Sequence, residues 1–175
     1  MYRVIRRSFA RFGFGQLERL ISTLWVGSLW TTGYFAAPTL FITLADRTLA
    51  GTIAGSLFRT QAWVSLACAA LLLLIYSCRQ RQAKRDAKLS PDLLLVITML
   101  VCTVIGYFGL QPFMAAIKES AAASSGMTQD ARRDFLILHG AASSIYLIQS
   151  LLGVFLVINQ TATKTNPIRS PAISP

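Results

Sequence analysis

Uncharged apolar stretches alternate with charged connections along this chain. Leu20–Ala45, Thr60–Cys78, Leu93–Ile117 and Phe135–Thr163 contain no Asp, Glu, Lys or Arg. Each is long enough to cross a bilayer as a helix, which takes about 20 mostly apolar residues. A soluble bundle would carry a polar stripe along every helix. In Leu93–Ile117 the polar side chains are isolated, at Thr98, Thr103 and Gln111. The pattern predicts an all-α polytopic membrane protein, with four transmembrane helices in an up-down bundle and an N-terminal amphipathic interfacial segment.

Local signals place the ends of these elements. Residues 1–16 read as a basic amphipathic arm, either an interfacial helix or a disordered segment that only sets topology. Tyr2, Ile5, Phe9 and Phe12 share one face and Arg3, Arg7 and Arg11 another, and Gly13 and Gly15 end the arm. Such a segment lies in the headgroup region with its guanidinium groups on anionic lipid. Span one runs from Leu20 to Leu44. Pro38 lies late in it, and Ser28, Thr32 and Ala36 form a stripe of small residues that admits a neighbouring helix. Gly51–Phe58 reads as a partial helical turn at the outer surface, before a second span over Arg59–Ser77. Ser90-Pro91-Asp92 starts the third span with an N-cap, a first-position proline and a carboxylate at the positive helix end. The third span ends near Lys118, and the fourth covers Asp134–Ile158. The four-helix domain is thus residues 17–158, and the Thr/Pro/Ser-rich residues 159–175 form a disordered tail. One echo links the hairpins: Gly33-Tyr34-Phe35 precedes Pro38, and Gly106-Tyr107-Phe108 precedes Pro112. Parallel repeats of this kind occur in some transporters.

Composition agrees. Of the 175 residues, 54% are hydrophobic and 14% are charged, against about 25% charged in a soluble domain. The net charge of +10 would suit nucleic acid, but its distribution suits a membrane. Arg3, Arg6, Arg7, Arg11, Arg19, Arg79, Arg81, Lys84, Arg85, Lys88, Lys164 and Arg169 fall on one side. Arg47, Arg59, Lys118, Arg132 and Arg133 fall on the other. The positive-inside rule then puts both termini in the cytoplasm, N-in and C-in. The expected partners are membrane lipids, including anionic lipid at the N-terminal arm, with a homo-oligomer or larger membrane complex and no nucleic acid.

Candidate chemistry is sparse. Cys68, Cys78 and Cys102 form no CxxC pair. Arg59 and His139 lie near the same outer boundary, with Gln61, Gln111 and Asp134 close in depth. Arg59, His139 and Gln111 are therefore the candidates for an outer polar pocket, against a plain reading in which Arg59 contacts headgroups and His139 bonds a neighbouring helix. One histidine cannot supply the usual pair of haem ligands; His139 with Met114 would be needed. A copper set of Cys68, Cys102, Met99 and His139 is scattered in depth. No carboxylate lies mid-span, which disfavours a proton relay. No nucleophile elbow, phosphate loop or HExxH motif is present. The expectation is a non-enzyme without cofactor or metal.

Several fragments together carry a family pattern. They are Leu24-Trp25-Val26-Gly27-Ser28, Ala36-Ala37-Pro38 with Leu40-Phe41, Ala54-Gly55 with Leu57-Phe58-Arg59, and Leu138-His139-Gly140. Over residues 17–158 the chain resembles the small four-helix membrane proteins related to transmembrane protein 205, whose bacterial members carry a domain of unknown function. The resemblance implies four spans and a bacterial inner-membrane setting, and no established reaction. It singles out Trp25, Gly27, Pro38, Phe41, Gly55, Phe58, Arg59, His139 and Gly140. The functional expectation is a non-catalytic membrane protein or accessory subunit. The alternative is a small oligomeric transporter or permeability factor using the outer-leaflet pocket, and the third reading is a metal- or haem-binding redox subunit.

Overall fold

The computed structural model describes residues 2–83, 90–123 and 126–162. Every element among them is helical, and they form four rods. The first rod is α1 (Tyr2–Trp30), a π-helical turn over Thr31–Ala36, and α2 (Ala37–Thr43). The second is α3 (Arg47–Ala83). The third is α4 (Pro91–Val104), a π-helical turn over Ile105–Leu110, and α5 (Gln111–Ala123). The fourth is α6 (Gln129–Ala162). Each rod packs on the next, and the fourth closes against the first.

Side chains start these helices. Asp46 Oδ1 accepts from Thr48 N at 2.8 Å and Leu49 N at 3.2 Å, which caps α3. Ser90 Oγ accepts from Leu93 N at 3.3 Å, with Pro91 and Asp92 following as expected. Thr128 Oγ1 caps α6 through Ala131 N at 3.3 Å.

The two π-helical turns have one cause. Pro38 and Pro112 each stand two residues past a turn's end, with no N–H to donate and a ring that crowds the carbonyl four residues back. Widening the preceding turn by one residue relieves that crowding. The N–H groups of Ala37 and Gln111 accordingly reach five residues back, to Thr32 O and Gly106 O. The sequence echo between spans one and three is therefore a structural one.

Three stretches, Arg47–Arg79, Pro91–Ala121 and Gln129–Gln160, are long and apolar enough to cross a membrane. On that basis the chain is a multi-pass membrane protein, helical in every element among the described residues. The first rod is not among the three. Five hydroxyl side chains between Ser22 and Thr32, with Trp25 and Trp30, dilute its hydropathy. The outward surface is apolar, with Leu24, Phe35, Ile42, Leu74, Phe113 and Ile137 among its exposed side chains. A soluble monomer rarely tolerates such a surface.

Several boundaries differ from expectation. Gly13 and Gly15 do not end a separate arm, because α1 continues through them. A helical glycine costs only about 1 kcal/mol, and a continuing helix can absorb that. The basic face of Arg3, Arg7 and Arg11 lies outside the described side chains. Gly51–Phe58 is no separate turn; it belongs to α3, where Ala50 and Ala54 are buried. The helix also runs past Ile158 to Ala162, held by Gln160, whose Nε2 donates to Ser22 Oγ at 3.0 Å. Of the expected tail, residues 163–175 lie outside the described part, as do residues 84–89 of the basic connection.

Trp25, Leu72, Val96, Met99 and Leu156, drawn from all four rods, form a fully buried apolar plug. Gly153 brings α6 onto α1: a Cβ there would meet Val26 Cγ2 at 2.8 Å. This plug separates two polar regions.

Candidate functional site

A half-open cleft of about 420 Å³ lies between the rods on one side of the plug. Both π-helical turns contribute to it, through Gly33 and Tyr34 of the first rod and Gly106 and Tyr107 of the third. Ten residues of α6 separate His139 from Gln149, both on its wall, so it extends about 15 Å along that helix. Its volume falls in the range of about 300–1,000 Å³ usual for small-molecule sites.

Two glutamines reach the wall from opposite rods. Gln61 on α3 is 5% exposed. Its Oε1 accepts from Thr32 Oγ1 at 3.2 Å, and its Nε2 donates to Ser28 Oγ at 3.0 Å. The stripe of small residues expected on span one thus works through its hydroxyls. Gln149 on α6 is 4% exposed. Its Nε2 donates to Thr103 Oγ1 at 2.9 Å, and Thr103 donates on to Met99 O at 3.1 Å. Such amide bonds join helices where the alternative is an unpaired group in hydrocarbon. Tyr146 completes the wall. Its hydroxyl donates to Leu29 O at 2.6 Å, and its ring meets Phe58 edge-on at 5.4 Å.

Replacing Gln61 with leucine is expected to destabilise the bundle by about 1 kcal/mol, because Ser28 and Thr32 can turn to backbone acceptors in their own helix. Thermal unfolding in detergent reads this as a drop of a few degrees. An unchanged melting temperature would mean that the amide does not join the two rods.

The three expected site residues are not all together. His139 and Gln111 line the cleft, and Arg59 does not. Arg59 is exposed. His139 stacks on Phe135 at 5.9 Å, and Lys118 Nζ lies 5.4 Å from the same ring. Of the groups expected nearby, Gln61 is on the wall and Asp134 is not. Met114 and Cys102 line the cleft, whereas Cys68 is buried in the apolar core. Among the described residues no three His, Cys, Asp or Glu side chains cluster to hold a metal.

Sequence reasoning missed Gln149 and Tyr146. A lone glutamine inside a charge-free span was the available signal for the first. It also missed the second polar region, beyond the plug. There Glu18, only 5% exposed, pairs with Arg79 at 2.5 Å. Arg19 Nη2 donates to Gln160 O at 2.9 Å, and the Tyr76 hydroxyl lies close to Glu18, Gln160 and Asp92. All four rods thus meet in one polar clasp. From the sequence, the basic residues here read as topology signals and lipid contacts.

Residues 20–123 match the family described as Domain of unknown function (DUF4149), and the chain belongs to that family. The match begins within the first rod, runs through the third and stops before α6, which carries His139 and Gln149. No curated protein and no solved structure matches the chain.

Proposed function

We propose that this DUF4149 protein is a four-span, non-catalytic protein of the bacterial inner membrane, with both termini cytoplasmic and the cleft as its working surface. The observation that carries this reading is the ordering of polarity along the rods. An ionic clasp lies at one end, an apolar plug in the middle, and an uncharged cleft beyond it. In this arrangement the first rod also crosses the membrane, antiparallel to α3 across the short turn at residues 44–46, and the rods run up and down in chain order. Arg79 and the basic connection after it then face the cytoplasm, as positive-inside bias requires. Among the described residues, the wall of the cleft carries no carboxylate, lysine or arginine. That suits binding more than proton-coupled transport or acid–base chemistry.

Native mass spectrometry from the source membrane tests this role. The expected result is a defined homo-oligomer or a complex with other membrane chains, with stoichiometry that survives mild detergent. A monodisperse, unaccompanied monomer would remove the accessory role. The transport reading has one observation in its favour: the cleft is open on one side of the plug while the clasp closes the other. It predicts that His139→Ala lowers a measurable flux without changing the melting temperature. An Arg59→Ala variant should leave that flux unchanged, since Arg59 lies off the cleft.

A further inference from the structure

We propose that the cleft binds a small, uncharged, largely apolar molecule that carries a hydroxyl group, and that Gln149 holds the hydroxyl. This rests on the membrane reading above, which sets the cleft in a low-dielectric surrounding.

Gln149 supplies the polar contact. Its Nε2 donates to Thr103, while among the described residues nothing donates to its Oε1. A carbonyl oxygen that faces an apolar cleft with a free lone pair gains from any donor that reaches it. Gln61 differs, because its Oε1 already accepts from Thr32. The Gln149 oxygen is thus open to the cleft, and a ligand hydroxyl can donate to it.

Charge excludes the other classes. A cation would be drawn to the faces of Tyr34, Tyr107 and Tyr146. It would find no counter-charge among the described residues of the wall, in a chain of net charge +10. An anion would meet only His139, whose ring is already stacked on Phe135. Desolvating either ion without a partner costs more than these contacts return. A neutral body with one hydroxyl satisfies both the apolar wall and the open acceptor. A long-chain alcohol, a hydroxyl-bearing neutral lipid and a phenol share this chemistry.

Photolabelling of the full chain in phosphatidylcholine nanodiscs with a diazirine-bearing octanol tests it. Label is expected on Tyr34, Tyr107, Met114 or Tyr146. Unlabelled octanol should displace it, and octanoate and octyltrimethylammonium should not. Gln149→Leu should weaken octanol competition about fivefold, the size expected for one hydrogen bond. Ala142→Phe adds a ring at the wall, away from the Gln149–Thr103 pair, and should abolish cleft labelling even if Gln149→Leu fails to fold. Label spread evenly over lipid-facing side chains such as Leu24, Phe35 and Leu74 would overturn the proposal. So would competition by either charged analogue equal to that of octanol, or labelling indifferent to Ala142→Phe. Solvent extraction of the purified protein separates the sources. One hydroxyl-bearing lipid per chain identifies a membrane lipid. Its absence, with octanol labelling retained, identifies a ligand that enters from outside. A failed labelling experiment in a protein with the expected topology would sink the ligand alone, and leave the four-span reading standing.

Discussion

An Arg79→Met variant is expected to lose about 2–3 kcal/mol of folding stability, the largest single effect at the clasp. Glu18 is 5% exposed and its carboxylate pairs with Arg79 at 2.5 Å. Removing one partner of a buried ion pair costs about 3–5 kcal/mol, because the remaining charge stays desolvated. The Arg79 side chain is 51% exposed, so water screens part of the attraction and the loss falls below that range, to about 2–3 kcal/mol. The origin of the loss makes a second variant informative. Glu18→Gln in the Arg79→Met background removes the orphaned charge and should recover most of the stability. Thermal unfolding of both single variants and the double variant in one detergent closes the cycle. Additive losses would show that the two side chains are not coupled.

Gly33→Ala should cost about 2 kcal/mol although it adds one methyl group. Its Cβ would collide with the Tyr146 ring. That ring cannot easily step aside: its hydroxyl donates to Leu29 O, Phe58 meets it edge-on, and Tyr34 lies 6.4 Å away. Overpacking of a fixed core group costs about 1–3 kcal/mol. Trimming the opposing side chain should relieve it. In a Tyr146→Leu background, Gly33→Ala should cost less than about 0.5 kcal/mol. Equal losses in both backgrounds would mean that the first and fourth rods do not meet at this glycine. Gly27, where a Cβ would meet nothing within 4 Å, is the control, and alanine there should be near neutral.

The chain announces its solvent more clearly than its interior. Charge-free stretches locate the rods because a lysine or carboxylate facing lipid is expensive, and Ser90-Pro91-Asp92 marks a helix start through local bonds alone. Exact ends were less legible. Gly13, Gly15 and Gly51 look like breaks, yet packing carries the helices through them. The repeated Gly-Tyr-Phe before proline was visible, but the π-helical turns follow from how each proline ring crowds the carbonyl four residues back. Gln111 and His139 could be placed near one depth by counting residues. Whether Arg59 faces them depends on its direction around α3, where one residue turns a side chain by about 100°. Glu18 was the most misleading position. It lies just before the first charge-free stretch and reads as a surface carboxylate. Its burial depends on Arg79, more than sixty residues away, and on rods that meet only in three dimensions.

Whether the first rod crosses the bilayer decides the topology, because it is the least apolar of the four. Alkaline phosphatase fused after Asp46, Lys88, Gly126 and Pro175 in a bacterial host measures this directly. Activity after Asp46 and Gly126, with none after Lys88 and Pro175, is the result four crossings require. Inactive enzyme after Asp46 would leave three crossings and contradict the arrangement proposed here.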